Sequence, residues 1–193
     1  MLAEIREIVL VYRREQLDLW VAGDRSLMPD FIDPAALVRN LPRRHFGEMF
    51  VLRHYNESAG WRGFSSYALG THLSGSERRG PGRAKVGRVI PSPRLRRFRS
   101  LRTTASDKRS GAGEPDLFLY NSAGRYKFVE VKMGADRMRP PQLRCIAQIL
   151  RTLRCDVDVV YLRESGQKYL PKTYVFDLHL CEGWRKPSNL LMQ

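Results

Sequence analysis

EPDLFLYNSAGRYKFVEVK, residues 114–132, carries the pattern of a β-hairpin: two runs rich in aliphatic and aromatic residues flank the turn-forming segment NSAGR. With Asn121–Arg125 as the turn, Tyr120 pairs with Tyr126, and stepping outward sets Asp116 directly opposite Glu130. Cross-strand partners bring their Cβ atoms to about 4.5–5.5 Å, and like charges so placed repel. Strand alternation puts Lys132 on the Glu130 face. Leu117, Leu119, Val129 and Val131 point the other way and supply a core. One face is thus expected to hold two facing carboxylates and an ammonium while the other packs.

Two close carboxylates can share a proton, splay into solvent or bind a cation. Hard divalent ions take oxygen ligands from one or two carboxylates and keep several waters. An ammonium beside such a pair can polarise a nucleophilic water or steady charge on a scissile phosphate. The bland alternative is a solvated hairpin face with a Lys–Glu pair, since E-x-K on a strand is common. The longer arrangement, Pro115-Asp116 followed by Glu130-Val131-Lys132 in matching register, favours chemistry.

The charge balance favours the same direction. The 193 residues contain 34 Lys and Arg against 20 Asp and Glu, a formal net charge of +14. Such an excess points to a polyanionic partner, because a basic surface gains by releasing counterions from phosphates. Much of it lies between Ser74 and Gly111, where twelve basic residues face only Glu77 and Asp107. That segment is also rich in Gly, Pro and Ser and is expected to be a long basic loop, with a short strand at VGRVI (86–90). Its arginines and lysine at Arg78, Arg79, Arg83, Lys85, Arg88, Arg94, Arg96, Arg97, Arg99 and Arg102 are candidate contacts to nucleic-acid phosphates.

Other features exclude classes. No apolar run approaches the ~18 residues of a membrane span. The N-terminal MLAEIREIVLVYRREQ is charged throughout and lacks a small-residue cleavage site, unlike a secretory signal, so a cytoplasmic location is expected (at the nucleoid in a bacterium, in the nucleus of a eukaryote). Cys145, Cys155 and Cys181 form no C-x-x-C pair, and His45, His54, His72 and His179 show no zinc-ligand spacing.

Along the chain, Ala3–Trp20 is expected to be a helix, from Ile5, Ile8, Val9 and Tyr12 at helical spacing. Asp33-Pro34 could open a further helix. Residues 1–40 would then be a helical extension and 41–193 the main domain, with residues 74–111 as a basic insertion. Arg43–Ser58 reads as helix, PPQLRCIAQILRTLRC (140–155) as an amphipathic helix opened by prolines, and DVDVVYL (156–162) and KTYVFDLHL (172–180) as strands. The fold class is α/β, a mixed sheet flanked by helices.

The stretch GAGEPDLFLYNSAGRYKFVEVKMGADRMRPPQLRCIAQIL (111–150) resembles the VRR-NUC branch of the PD-(D/E)xK nuclease superfamily. That branch includes the nuclease domain of the Fanconi-associated nuclease and stand-alone phage and bacterial enzymes. The family's G-x-P-D-L is matched by Gly113, Pro115, Asp116 and Leu117, and its E-V-K by Glu130, Val131 and Lys132. Its following D-x-Φ-x-x-x-Q is matched by Asp136, Met138 and Gln142. The resemblance implies a restriction-endonuclease-like core and Mg²⁺- or Mn²⁺-dependent hydrolysis of DNA, often at flaps or junctions. It makes Asp116, Glu130 and the Val131 carbonyl metal ligands, Lys132 the water-activating residue and Gln142 an active-site support. A junction-resolving relative would imply a homodimer with two sites; a flap cutter needs one. Two positions depart from the pattern: Arg139-Pro140-Pro141 stands where a serine cap is common, and Cys145 where an aromatic often follows the glutamine.

Sites of this superfamily usually take a further acid from a preceding helix, for which Glu48 and Glu57 are candidates. Glu48 heads a stripe with Val51, Leu52 and Tyr55, where an unpaired charge is costly unless a cation relieves it. Glu48 is therefore the expected third acid and metal ligand; its alternative is an ion pair with Arg44. The competing readings of function are a non-catalytic basic nucleic-acid-binding protein with a nuclease-like fold and an RNA-associated protein. The second would be favoured by aromatics among the basic residues, and only Phe98 lies there.

Overall fold

The computed structural model describes residues 1–32, 45–70, 80–104 and 113–179. Its centre is a five-stranded mixed sheet in the order β2-β6-β5-β4-β3. These strands are β2 (Ile8–Tyr12), β3 (Arg62–Phe64), β4 (Leu117–Tyr120), β5 (Tyr126–Met133) and β6 (Asp156–Glu164). The β4–β5 hairpin has the register read from the sequence, Tyr120 opposite Tyr126 through Leu117 opposite Val129. Asn121 closes the turn, its side-chain oxygen accepting the Arg125 N–H at 3.0 Å. Helix α5 (Pro140–Thr152) carries the chain from β5 across to β6, which runs parallel to it. The long crossover is what a parallel pair requires.

Both faces of the sheet are covered. On one, Phe118, Phe128, Val157 and Val159 pack with α5, α3 (Gly80–Val89) and α4 (Ser92–Thr104). A two-stranded ribbon of β1 (Leu2–Arg6) and β7 (Thr173–Asp177) adds Ile5 and Phe176 to this core. On the other, Leu117, Leu119, Val129, Val131, Val160 and Leu162 pack with Leu17 and Trp20 of α1 (Arg14–Val21) and with α2 (Phe46–Ala59). Helix α2 approaches β5 closely: a Cβ on Gly47 would lie 3.2 Å from Val131 Cγ1.

Three expectations are corrected. Residues 2–12 are two strands, and the helix begins only at Arg14, with Gln16 Oε1 accepting the Arg13 N–H at 2.8 Å. The run IVLVY satisfies a helical pattern, but its β-branched residues fit the parallel slot beside β6, where Ile8 faces Val160. The basic segment is no loop over residues 80–104, and VGRVI lies in α3, not in a strand. Val86, Ile90, Leu95 and Phe98 are all buried at helical spacing, and Pro91 separates the two helices. The Glu130 face of the hairpin also packs, since Phe118 and Phe128 on it are fully buried. Asp33-Pro34 and Arg44 lie outside the described residues. Among those described, no helix is long and apolar enough to cross a membrane.

Candidate active site

Asp116 stands just ahead of β4 and ends the hairpin ladder with its side chain. Its Oδ2 accepts the Val131 N–H at 2.8 Å. This fixes the carboxylate against the centre of β5, where Glu130 is 0% and Lys132 3% exposed. The carboxyl groups of Asp116 and Glu130 come within hydrogen-bonding reach of each other. The chain just before Asp116 is also held. Tyr67 donates its hydroxyl to the Pro115 carbonyl at 2.6 Å, and Glu114 accepts the Leu69 and Gly70 N–H groups at 3.2 Å each. Gly113 has φ +79°, and a Cβ there would meet the Pro141 carbonyl oxygen at 2.3 Å. A side chain at 113 would push the Pro115-Asp116 segment away from α5.

From the other side, Glu130 Oε1 accepts Lys132 Nζ at 2.6 Å and the Gln142 side-chain amide. Lys132 Nζ also reaches Asp136 Oδ2 at 3.1 Å. Gln142 is oriented by its own helix: its Oε1 accepts the Arg139 N–H at 3.0 Å, which turns its NH₂ toward Glu130. Gln142 thus supplies the N3 half of a capping box with Arg139, not serine, at the N-cap, and Pro140 and Pro141 sit in the first turn, where no amide partner exists. Cys145, in the place of the aromatic, is fully buried in the core below.

The electrostatics are those of a crowded acidic pair. Burial, then the Asp116 charge, push the Glu130 carboxyl up to about 8. Burial also raises Asp116, against the pull of the Val131 N–H, and Glu48 adds to the rise. Burial works against the Lys132 charge, but Glu130 and Asp136 outweigh it and hold the ammonium above its ordinary range. The lysine is therefore a fixed cation here. Glu130 Oε2 is buried with no hydrogen-bond partner. An unsatisfied buried oxygen on a carboxyl group that has a second carboxyl group beside it is a place for a proton or a cation.

Glu48 lies in the first turn of α2, near enough for its charge to act on Asp116. Its Oε1 meets His45 Nδ1 at 3.2 Å, and His45 holds the left-handed conformation (φ 65°) that opens the helix. Glu57 is directed elsewhere, 60% exposed and bound to Arg53 at 2.6 Å. Among the described residues no three His, Cys, Asp or Glu side chains gather into a ready-made metal cage. The donor set still fits a hard divalent ion that two carboxylates bind, the remaining positions being filled by water and phosphate oxygens.

Of the basic candidates, Arg78 and Arg79 lie outside the described residues. Arg94 donates to the Leu153 carbonyl at 3.1 Å and Arg99 to the Leu69 carbonyl at 2.9 Å. Lys85 lies over the Tyr120 ring at 4.1 Å, and Arg102 lies by Phe98 at 6.0 Å. Arg88, Arg96 and Arg97 are exposed, and Arg83 is half-buried. Sequence reasoning missed the Asp136–Lys132 contact as part of the site, although the four-residue spacing across the turn after β5 was visible. Gly113 was matched to the family pattern without a structural role, and Glu114 was missed as a support.

Residues 88–164 match the family model of the VRR-NUC domain. No curated protein matches the chain. Among solved structures, the chain is similar to paFAN1 bound to 1-nt 5′-flap DNA with a gap, at 33% identity and a TM-score of 0.34, over 40% of this chain and 14% of that one. A second structure, paFAN1 bound to 2-nt 5′-flap DNA with a gap, is 23% identical with a TM-score of 0.39, over 63% of this chain and 20% of that one. The chain thus spans a fifth or less of the length of these proteins.

Proposed function

We propose that this chain, with its VRR-NUC match over residues 88–164, is a nuclease that hydrolyses phosphodiester bonds in DNA with Mg²⁺ or Mn²⁺, selecting branched or flapped structures. The observation that carries the reading is the buried, partnerless Oε2 of Glu130, whose carboxyl group has Asp116 and Lys132 as its charged neighbours. Asp116 and Glu130 would hold the ion, with the Val131 carbonyl and Glu48 completing the oxygen-rich side. Bound there, the ion would supply Lewis acidity toward the phosphate and lower the pKa of water.

The chain's own residues do the rest. The Val131 N–H holds Asp116 in place, and Gln142 holds Glu130, so neither carboxylate needs to reorganise when substrate arrives. Lys132 remains protonated and acts as a donor, orienting the attacking water and countering charge that grows on the phosphate. With its pKa raised rather than lowered, it is poorly suited to accept the water's proton as a base.

The purified protein is expected to cut flap, junction or duplex DNA when Mg²⁺ or Mn²⁺ is present and to stop in EDTA. Asp116→Ala, Glu130→Ala and Lys132→Ala are each expected to lower the cleavage rate by at least about 100-fold, with circular dichroism unchanged. Undiminished cutting in excess EDTA would sink the proposal.

A further inference from the structure

Helices α3 and α4 enclose a cleft of about 460 Å³ on the outer side of the layer that covers the Glu130 face. Arg83 lines it from α3 and Arg96 and Arg99 from α4, with the hydroxyl-bearing Ser92 also in the lining. Leu95, buried, is its apolar floor. Gly87 also lines it, and a Cβ built there meets nothing within 4 Å. The cleft is therefore open at a helical glycine, and no carboxylate lines it among the described residues.

Three guanidinium groups converging on one concavity repel each other. Burial and the Arg83 charge both lower the Arg99 pKa. The nearest acid acting on Arg99, Glu114, has its oxygens occupied by the Leu69 and Gly70 N–H groups. Arg99 is held in place by its Nε–H bond to the Leu69 carbonyl, which leaves the terminal nitrogens of the fork to an outside acceptor. Leu69 in turn donates to Glu114, two residues before Asp116, so hydrogen bonds connect the cleft to the segment that carries Asp116.

We propose that the α3–α4 cleft is a phosphodiester-binding subsite, built by Arg83, Arg96 and Arg99, that grips the DNA backbone away from the bond being cut. The inference rests on DNA being the partner. It sorts the basic residues by work: Arg83, Arg96 and Arg99 form the subsite, Arg94 is a structural staple, and Arg88 and Arg97 are open surface charges.

The test is metal-free binding, followed by fluorescence anisotropy of a labelled duplex with a 5′ flap in EDTA across a chloride series. The double variant Arg83→Gln/Arg96→Gln is expected to reduce the slope of log K against log salt by about 0.9, one phosphate contact. Gly87→Glu is expected to weaken binding about tenfold or more at low salt, and Gly87→Lys to strengthen it. Both are folded if their thermal midpoints are at or above that of the wild type, as glycine replacement inside a helix favours. An unchanged slope in the double variant would overturn the proposal, as would Gly87 variants that shift affinity in the same direction. Inorganic phosphate separates the two sources of the anion. If phosphate raises the wild-type thermal midpoint but not the double variant's, while both bind DNA alike, the cleft is a free-anion site and the proposal fails. A protein that binds DNA through the cleft and cuts none would instead refute the proposed nuclease activity alone.

Discussion

At the scale of single residues, the acidic pair governs how the protein answers to pH. Glu130 ordinarily titrates near 4.5 and is pushed up to about 8 in the fold. The folded state therefore keeps a proton that the unfolded chain has already released, so stability falls as pH rises through that window and is unaffected below it. In EDTA the thermal midpoint is expected to drop between about pH 5 and pH 8, by an amount equivalent to a few kcal/mol at most. Glu130→Gln should remove most of this drop. Lys132, shifted upward, gives a stabilisation that is fully present below its ordinary range and is lost only above it, so it is constant across this window. Asp116→Asn removes the carboxyl group that crowds Glu130 and should leave the metal-free protein as stable as before or slightly more so. A midpoint that rises from pH 5 to 8 would contradict the protonated state of the pair. Glu48 and Glu57 separate by the same logic. Glu48→Gln should lower cleavage severely with DNA binding nearly intact, and Glu57→Gln, which touches only an exposed pair, should do little in the same assay.

At the scale of elements, α4 shows that basic residues of one helix do different work. Arg94 ties α4 to the end of α5 through the Leu153 carbonyl, which Tyr126 also contacts at 2.9 Å. Arg97 is exposed and has no such anchor described. Arg94→Gln is expected to cost about 1–2 kcal/mol in chemical denaturation, because it removes a charged hydrogen bond to a partly buried carbonyl. Arg97→Gln should leave the denaturation midpoint within about 0.5 kcal/mol of wild type and act, if at all, on the salt dependence of DNA binding. Equal midpoints for the two variants would remove the distinction. The apolar stripe that makes α4 a helix was visible as Leu95 and Phe98, but the surrounding Gly, Pro and Ser suggested a loop, and burial against the sheet outweighed that local preference.

At the scale of the whole molecule, residues from distant parts of the chain close around Glu7. It is 5% exposed and accepts Tyr169 Oη–H at 2.6 Å, the Lys172 N–H at 2.8 Å and Tyr174 Oη–H at 2.7 Å. Three donors satisfy one buried carboxylate, as burial of a charge demands. This knot lies where the chain passes from β1 to β2, joining the ribbon to the main sheet. Glu7→Gln replaces one of the two accepting oxygens with an NH₂, which then faces the Tyr174 hydroxyl or the Tyr169 and Lys172 donors, and is expected to cost about 2–4 kcal/mol. Differential scanning calorimetry would register this as a lower midpoint. A loss near zero would mean the knot forms without contributing to stability.

The hairpin, its register and the meeting of Asp116, Glu130 and Lys132 were legible because they are local: a five-residue turn sets the pairing, and a period of two sets the faces. Helix α5 was legible for the same reason, through its prolines and apolar stripe. The sequence by itself also determined the net positive charge, which depends on composition alone. Tertiary structure decided the rest. Residues 8–12 became a strand because β6, from the far end of the chain, offered unpaired backbone to a run that fits either period. Tertiary packing also set the Gln142 amide on Glu130, the backbone of Gly113 against Pro141 and the charge of Glu48 within reach of Asp116. Each of these contacts joins segments whose separation in sequence carries no periodic signal, so only the packed sheet and its covering helices could bring them together.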